Sequence, residues 1–378
     1  MPLARPHEGG RGEAAFSKQS NRIRVNDMTQ QNIPGARHPD YIRAILDRAV
    51  NMIAEGRLDS AEVLLATLSE EPSAREVTAH LRGVIAARLM EKSAAQLFFK
   101  AAIEANPRNA EAHAQLGLLL LDERPVAAAA AFAAAITLEA RNPDWHVALA
   151  SAFHRLGFVD RAKDNLADAL ALSPDHAEAA TRAATIEAET EERPEIEDLS
   201  PEDEAILCDA LFAEGARRQS DGDLARAAAI FERVLKRAPM HAFALCNLGT
   251  LHRVSGDLRR SEELLEQAIT ADPKLVPARL ALAETYAAAG RDQEARAQFE
   301  IAIEVEPRNA DARAAYAMAL QRTGAAKESI PHFHHAILLD QNRPAEFYAA
   351  LGAALEAMGM RDRAEIALRH AAALAQAS

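Results

Sequence analysis

Apolar and small positions in the second half of this chain recur in paired clusters, each pair split by a glycine. Between Cys208 and His241, Leu211 and Gly215 belong to one stretch, Gly222 interrupts it, and Ala227, Phe231 and Leu235 follow at four-residue steps before Pro239. That spacing predicts two helices with a tight turn between them. The glycine supplies the left-handed backbone that stops the first helix, and Asp223 is placed to accept from the free amides of the second. Gly215 and Ala227 are small where the two helices must approach, and Phe231 is large enough to fill the space between one pair and the next.

The pair repeats. Gly222, Gly256, Gly290 and Gly324 stand 34 residues apart, and Phe231, Leu265, Phe299 and Phe333 keep the same step. Leu248, Gly249, Ala268 and Pro273 mark the second pair, and Leu282, Tyr286, Ala295, Ala302 and Pro307 the third. Leu320, Ser329 and Ala336 mark the fourth. The last carries Leu351, Gly352, Gly359, Ala364, Leu368 and Ala371 after a one-residue insertion. Upstream, Gly83, Ala95, Phe99, Ala102 and Pro107 form one unit, and Leu116, Gly117, Ala128, Phe132 and Ala135 another. Trp145, Leu149, Gly157, Ala162, Leu166, Ala169 and Pro174 form a third, and Gly56, Ala61, Leu65 and Pro72 a degenerate first one. A fixed period of this length means that each unit cannot bury its apolar face alone, so the fold is a stack of neighbours.

With small, aromatic and proline positions in this order, the units resemble the tetratricopeptide repeat. The resemblance covers residues 41–192 and 201–378. It implies an all-α fold, a right-handed superhelical α-solenoid of helix-turn-helix repeats whose first helices line a concave groove that binds peptides, helices or other proteins.

The register breaks once, where Pro194 and Pro201 forbid continuous helix. Ser200 is a capping residue for a new helix, with Pro201 in its first turn and Asp203 at the capping-box position. The expected organisation is a disordered tail at 1–40 and a first array at 41–192, about four repeats plus a capping helix. An acidic, proline-containing linker at 193–200 follows, then a second array of five repeats at 201–378. Met28 is an alternative start. The last repeat has no capping helix after it, and Ala364, Leu368, Ala372 and Ala375 are read as its outward residues, small enough for a monomer or weak dimer.

Composition narrows the function classes. The chain is 49% hydrophobic but only 4% aromatic, and runs such as Ala127 to Ala135 favour helix. Between Glu187 and Glu204 ten acids face one base, a local −9 within the total of −13. This balance, without a basic stripe, argues against nucleic acid. The most apolar run, Val126 to Ile136, is shorter than the roughly 20 residues of a spanning helix, so no membrane insertion is expected. Cys208 and Cys246 match no metal or redox spacing, and the amino terminus lacks a signal-peptide core. A cytoplasmic location follows.

Candidate contacts come from the groove side of the first helices in the second array. These are Phe243, Cys246, Asn247, Thr250 and Arg253, then Leu280 and Glu284, then Met318, Gln321 and Arg322. This wall has no lysine for the carboxylate clamp of chaperone-binding relatives. Asn247 has alanine at the equivalent places, Ala213, Ala281, Ala315 and Ala350, so the asparagine ladder of glycosyltransferase repeats is absent. His332 and His335 lie three apart but lack further ligands, so no metal is assigned. No nucleophile elbow, phosphate loop or dinucleotide fingerprint occurs, and no cofactor is implied. The expected function is a non-enzymatic scaffold that holds a protein or peptide ligand, mainly in the second array. The alternatives are a regulatory or substrate-recruiting subunit of a separate enzyme, such as a glycosyltransferase or sulfotransferase, and a self-assembling structural protein.

Overall fold

The computed structural model describes residues 38–189 and 195–377, which form nineteen α-helices. The chain divides into two compact units after Leu199. In the first unit the helices are α1 (Pro39–Ala54), α2 (Leu58–Ala66), α3 (Arg75–Arg88), α4 (Lys92–Ala105), α5 (Ala110–Leu120), α6 (Pro125–Leu138), α7 (Pro143–Arg155), α8 (Val159–Leu172) and α9 (Ala177–Ala188). A short 3-10 turn, Pro72–Ala74, precedes α3. In the second they are α10 (Pro201–Ser220), α11 (Leu224–Arg237), α12 (Ala242–Val254), α13 (Leu258–Ala271), α14 (Val276–Ala288), α15 (Asp292–Val305), α16 (Ala310–Arg322), α17 (Ala326–Leu339), α18 (Ala345–Ala357) and α19 (Arg361–Ala377).

Within each unit the helices pair as hairpins. Gly56, Gly157, Gly222, Gly256, Gly290, Gly324 and Gly359 all sit in the turn at positive φ, where a side chain is strained. Only one non-glycine among the described residues shares that conformation, Met90 between α3 and α4. The packing glycines act differently. A Cβ on Gly215 would lie 2.7 Å from the Phe231 ring, and Gly83, Gly117, Gly249 and Gly352 meet Phe99, Phe132, Leu265 and Leu368 equally closely. Each large residue therefore lies flat against bare backbone of the partner helix. Phe99, Phe132 and Phe231 are fully buried in this way, and Phe299 and Phe333, whose equivalent upstream positions are Ala283 and Ala317, are fully buried as well.

Capping chemistry fixes where the helices begin and also ties hairpin to hairpin. Asn109 accepts from the Ala112 amide at 2.8 Å while its Nδ2 donates to Glu76 at 2.8 Å. His176 repeats the device, accepting from the Ala179 amide at 3.1 Å while Nε2 meets Asp144 at 2.9 Å. His241 caps Ala244 at 3.1 Å and faces Asp209 at 3.8 Å. Each cap thus satisfies an orphan amide and reaches back to the preceding first helix.

Two boundaries differ from expectation. Pro39 and Asp40, assigned to the tail, already form the first turn of α1, because proline suits the first helical position and an acid suits the helix start. The remainder of that tail, 1–37, lies outside the described residues. Helix α9 ends at Ala188 rather than Glu192, since a run of acids at a helix C-terminus opposes the dipole. Of the linker, 193 and 194 lie outside the described residues. Residues 195–200 are non-helical, and the Ile196 amide donates to the Leu156 carbonyl at 3.0 Å. Ser200 caps α10 through the Asp203 amide at 3.1 Å, and its hydroxyl donates to the Asp203 carboxylate at 2.9 Å.

At the other end, Ala364 is buried rather than outward. Leu368 occupies the same niche as the interior phenylalanines, against Gly352, but is 37% exposed.

Candidate functional site

In the second unit α12, α14, α16 and α18 lie against one another in turn, and no comparable contact joins successive second helices. The first helices therefore form the tighter, inner layer. Its surface is the candidate wall.

The predicted residues divide by environment. Phe243 is 53% exposed at the start of α12, with its ring 6.0 Å from that of Phe212 on α10. Met318 is 38% exposed on α16. Both are large apolar groups left out of the repeat packing. Asn247 is half-buried and makes no hydrogen bond among the described residues. Leu280 is half-buried against the cluster of Val276, Ala302 and Ala312.

Cys246 is a correction. It is buried, not presented on the wall, and burial pushes its thiol pKa up to about 11. Cys208 is likewise buried and pushed up to about 11, first by burial and then by Glu204. Both are neutral packing groups at physiological pH.

The polar members are partly consumed by the array itself. Arg253 pairs with Glu284 at 2.9 Å across α12 and α14. Thr250 donates to the Cys246 carbonyl at 2.9 Å, and Arg322 to the Ala287 carbonyl at 3.4 Å. Gln321 Oε1 and Arg253 Nε are buried without a partner. Gln219 on α10, one repeat before Arg253, has its Oε1 in the same state. Sequence reasoning missed Gln219 and Phe212 because it began the wall at α12. Stepping back 34 residues from Arg253 and Cys246 finds both.

Other candidates carry less. The His332 ring packs against Tyr316 with centroids 4.6 Å apart, and burial holds its pKa below the ordinary value. Among the described residues, no three His, Cys, Asp or Glu side chains converge as metal ligands. In the first unit a cleft of about 160 Å³ lies between α7 and α9. Its polar lining is already engaged: Ser151 donates to the Val147 carbonyl, His154 meets Glu189 at 2.9 Å, and Arg182 pairs with Glu178 at 2.9 Å. No helix among the described residues is long and apolar enough to cross a membrane.

Paired helices, glycine turns at a constant step and an inner layer of first helices define a helical-repeat protein of the solenoid class. Two tetratricopeptide repeat models match, one over residues 212–276 and one over 254–319, so the chain contains tetratricopeptide repeats in its second unit. Among solved structures, "Crystal structure of MamA" is 22% identical with a TM-score of 0.38, covering 43% of this chain and 94% of that one. "MamA MSR-1 C2" is 23% identical with a TM-score of 0.37, covering 45% and 98%. "MamA AMB-1 P212121" is 23% identical with a TM-score of 0.37, covering 46% and 94%. No curated protein matches the chain.

Proposed function

We propose that the protein is a non-enzymatic scaffold whose second unit holds a segment of a partner protein along the wall of α12, α14, α16 and α18. One observation carries this reading. The large residues that build the repeat are fully buried, whereas Phe243 and Met318 stand exposed on the inner layer, Phe243 meeting the repeat through the Phe212 ring alone among its ring contacts. Exposed aromatic and thioether groups on a concave, water-excluding surface are the groups that anchor a bound chain. Asn247, with no protein partner, supplies hydrogen bonding beside them.

The test compares the full-length protein with a Phe243→Ala, Met318→Ala double variant in affinity capture from the native host, followed by titration with each captured partner. Truncating two anchors is expected to weaken binding at least about tenfold, with an unchanged circular-dichroism melt. Undiminished affinity in the double variant sinks the reading.

A further inference from the structure

We propose that the segment held by the second unit is extended and carries basic residues on either side of an apolar centre. This presupposes that the inner wall is the partner site and adds the chemistry of what it takes.

The wall has an edge formed by one equivalent residue from each first helix: Asp209, Phe243, Pro277, Asp311 and Glu346, at steps of 34, 34, 34 and 35 residues. All five are exposed. The order is acid, aromatic, proline, acid, acid. Pro277, Asp311 and Glu346 also suit the first turns of α14, α16 and α18, but helix capping gives no reason for an exposed aromatic at Phe243 or for an acid at Asp209, well inside α10.

The charge on this edge is not cancelled from within. Asp209 has only His241, at 3.8 Å. Asp311 shares the single guanidinium of Arg343 with Asp340, at 2.6 and 3.2 Å, so two carboxylates face one cation. Glu346 makes no ion pair among the described residues. Of the cations of the wall, Arg253 is neutralised by Glu284, whereas Arg322, which donates to the Ala287 carbonyl, keeps its charge but lies eleven residues, about 16 Å, along α16 from Asp311. Arg279 and Arg313 lie two residues beyond Pro277 and Asp311, about 200° round their helices, and fold back onto the Pro273 and Pro307 carbonyls. The edge therefore presents uncompensated negative charge around an apolar middle, which selects a ligand of opposite pattern.

Helix spacing sets the register. Packed helices lie roughly 8–10 Å apart, and an extended chain advances about 3.3 Å per residue, so each hairpin spans about three ligand residues. The complementary segment is basic, then apolar about three and six residues on, then basic about nine and twelve residues on.

Fluorescence anisotropy on the full-length protein tests this with labelled 13-residue peptides on a Gly/Ser background. The probe has Lys at positions 1, 10 and 13 and Leu at 4 and 7. Controls replace Lys by Glu, replace Lys by Gln, or scramble the order. The Lys peptide is expected to bind about tenfold tighter than the Gln peptide and to weaken with added salt, with the Glu peptide weakest. The Asp209→Asn, Glu346→Gln variant should lose about three- to tenfold for the Lys peptide alone, while Phe243→Ala should weaken the Lys and Gln peptides alike. Equal binding of Lys, Gln and Glu peptides, tight binding of the scrambled one, or no binding of the Lys peptide overturns the proposal. If Phe243→Ala, Met318→Ala still weakens capture of the native partner in any of those cases, the wall stands and only its assigned chemistry falls.

Discussion

His80 shows how one buried side chain sets a condition on the whole first unit. Its imidazole is nearly inaccessible, 5.6 Å from the Phe99 ring, and its Nδ1 has no partner. Burial lowers its pKa from 6.5 to about 4. Between those values the unfolded chain binds a proton that the folded chain refuses, so this group contributes stability above about pH 6.5 that is lost as pH falls toward 4. Near pH 5 the loss amounts to about 2 kcal/mol. The melting temperature of the first unit should therefore drop between pH 7 and pH 5, and His80→Leu should flatten that part of the profile. Parallel profiles in the two proteins would contradict a neutral, desolvated imidazole.

At the scale of the element, the hairpin is built on a glycine pressed against a large side chain, and the consequence depends on whether that side chain can retreat. Phe231 is enclosed, so Gly215→Ala forces a Cβ to 2.7 Å from its ring with Ile230 also at 3.2 Å. A loss of about 1–3 kcal/mol is expected for this overpacking. At Gly352 the opposing Leu368 is 37% exposed and has room to swing outward, so Gly352→Ala should cost less than half as much. Urea denaturation of the two variants measures the difference, and equal losses would contradict the enclosure argument. The positions involved were legible in the sequence because they repeat at one spacing, but the partners were not: the sequence sets Gly215 against Ala227 and Phe231 between hairpins, whereas the Phe231 ring lies on Gly215 within its own hairpin, as Leu265 does on Gly249. The wall was less legible. Whether Cys246 faces groove or core depends on how α12 is rotated by its neighbours, and the pairing of Arg253 with Glu284 joins two helices whose separation no single repeat encodes.

Across the whole molecule, each compact unit contains its own stack of hairpins, and solenoid stability is a sum of unit and neighbour-interface contributions. Residues 200–378 are therefore expected to fold and unfold cooperatively in isolation, as followed by circular dichroism in urea. A fragment that is unfolded while the full chain is helical would refute this. The capping bridges add a rule about permissible change in length. Asn109 reaches Glu76, His176 reaches Asp144 and His241 reaches Asp209, each one hairpin back. Inserting or deleting a whole period leaves such partners in register, and the separations themselves, 33 residues for Asn109 with Glu76 and 32 for His176 with Asp144, show that a difference of one residue is also bridged. The one place where the step lengthens, between Gly324 and Gly359, has no side-chain cap on α18, and there the longer Arg343 spans to Asp311 while holding Asp340. Whole hairpins can therefore be gained or lost without breaking these bridges, and at the single inserted residue an arginine outside the helix takes over the tie that a capping histidine makes at His176 and His241.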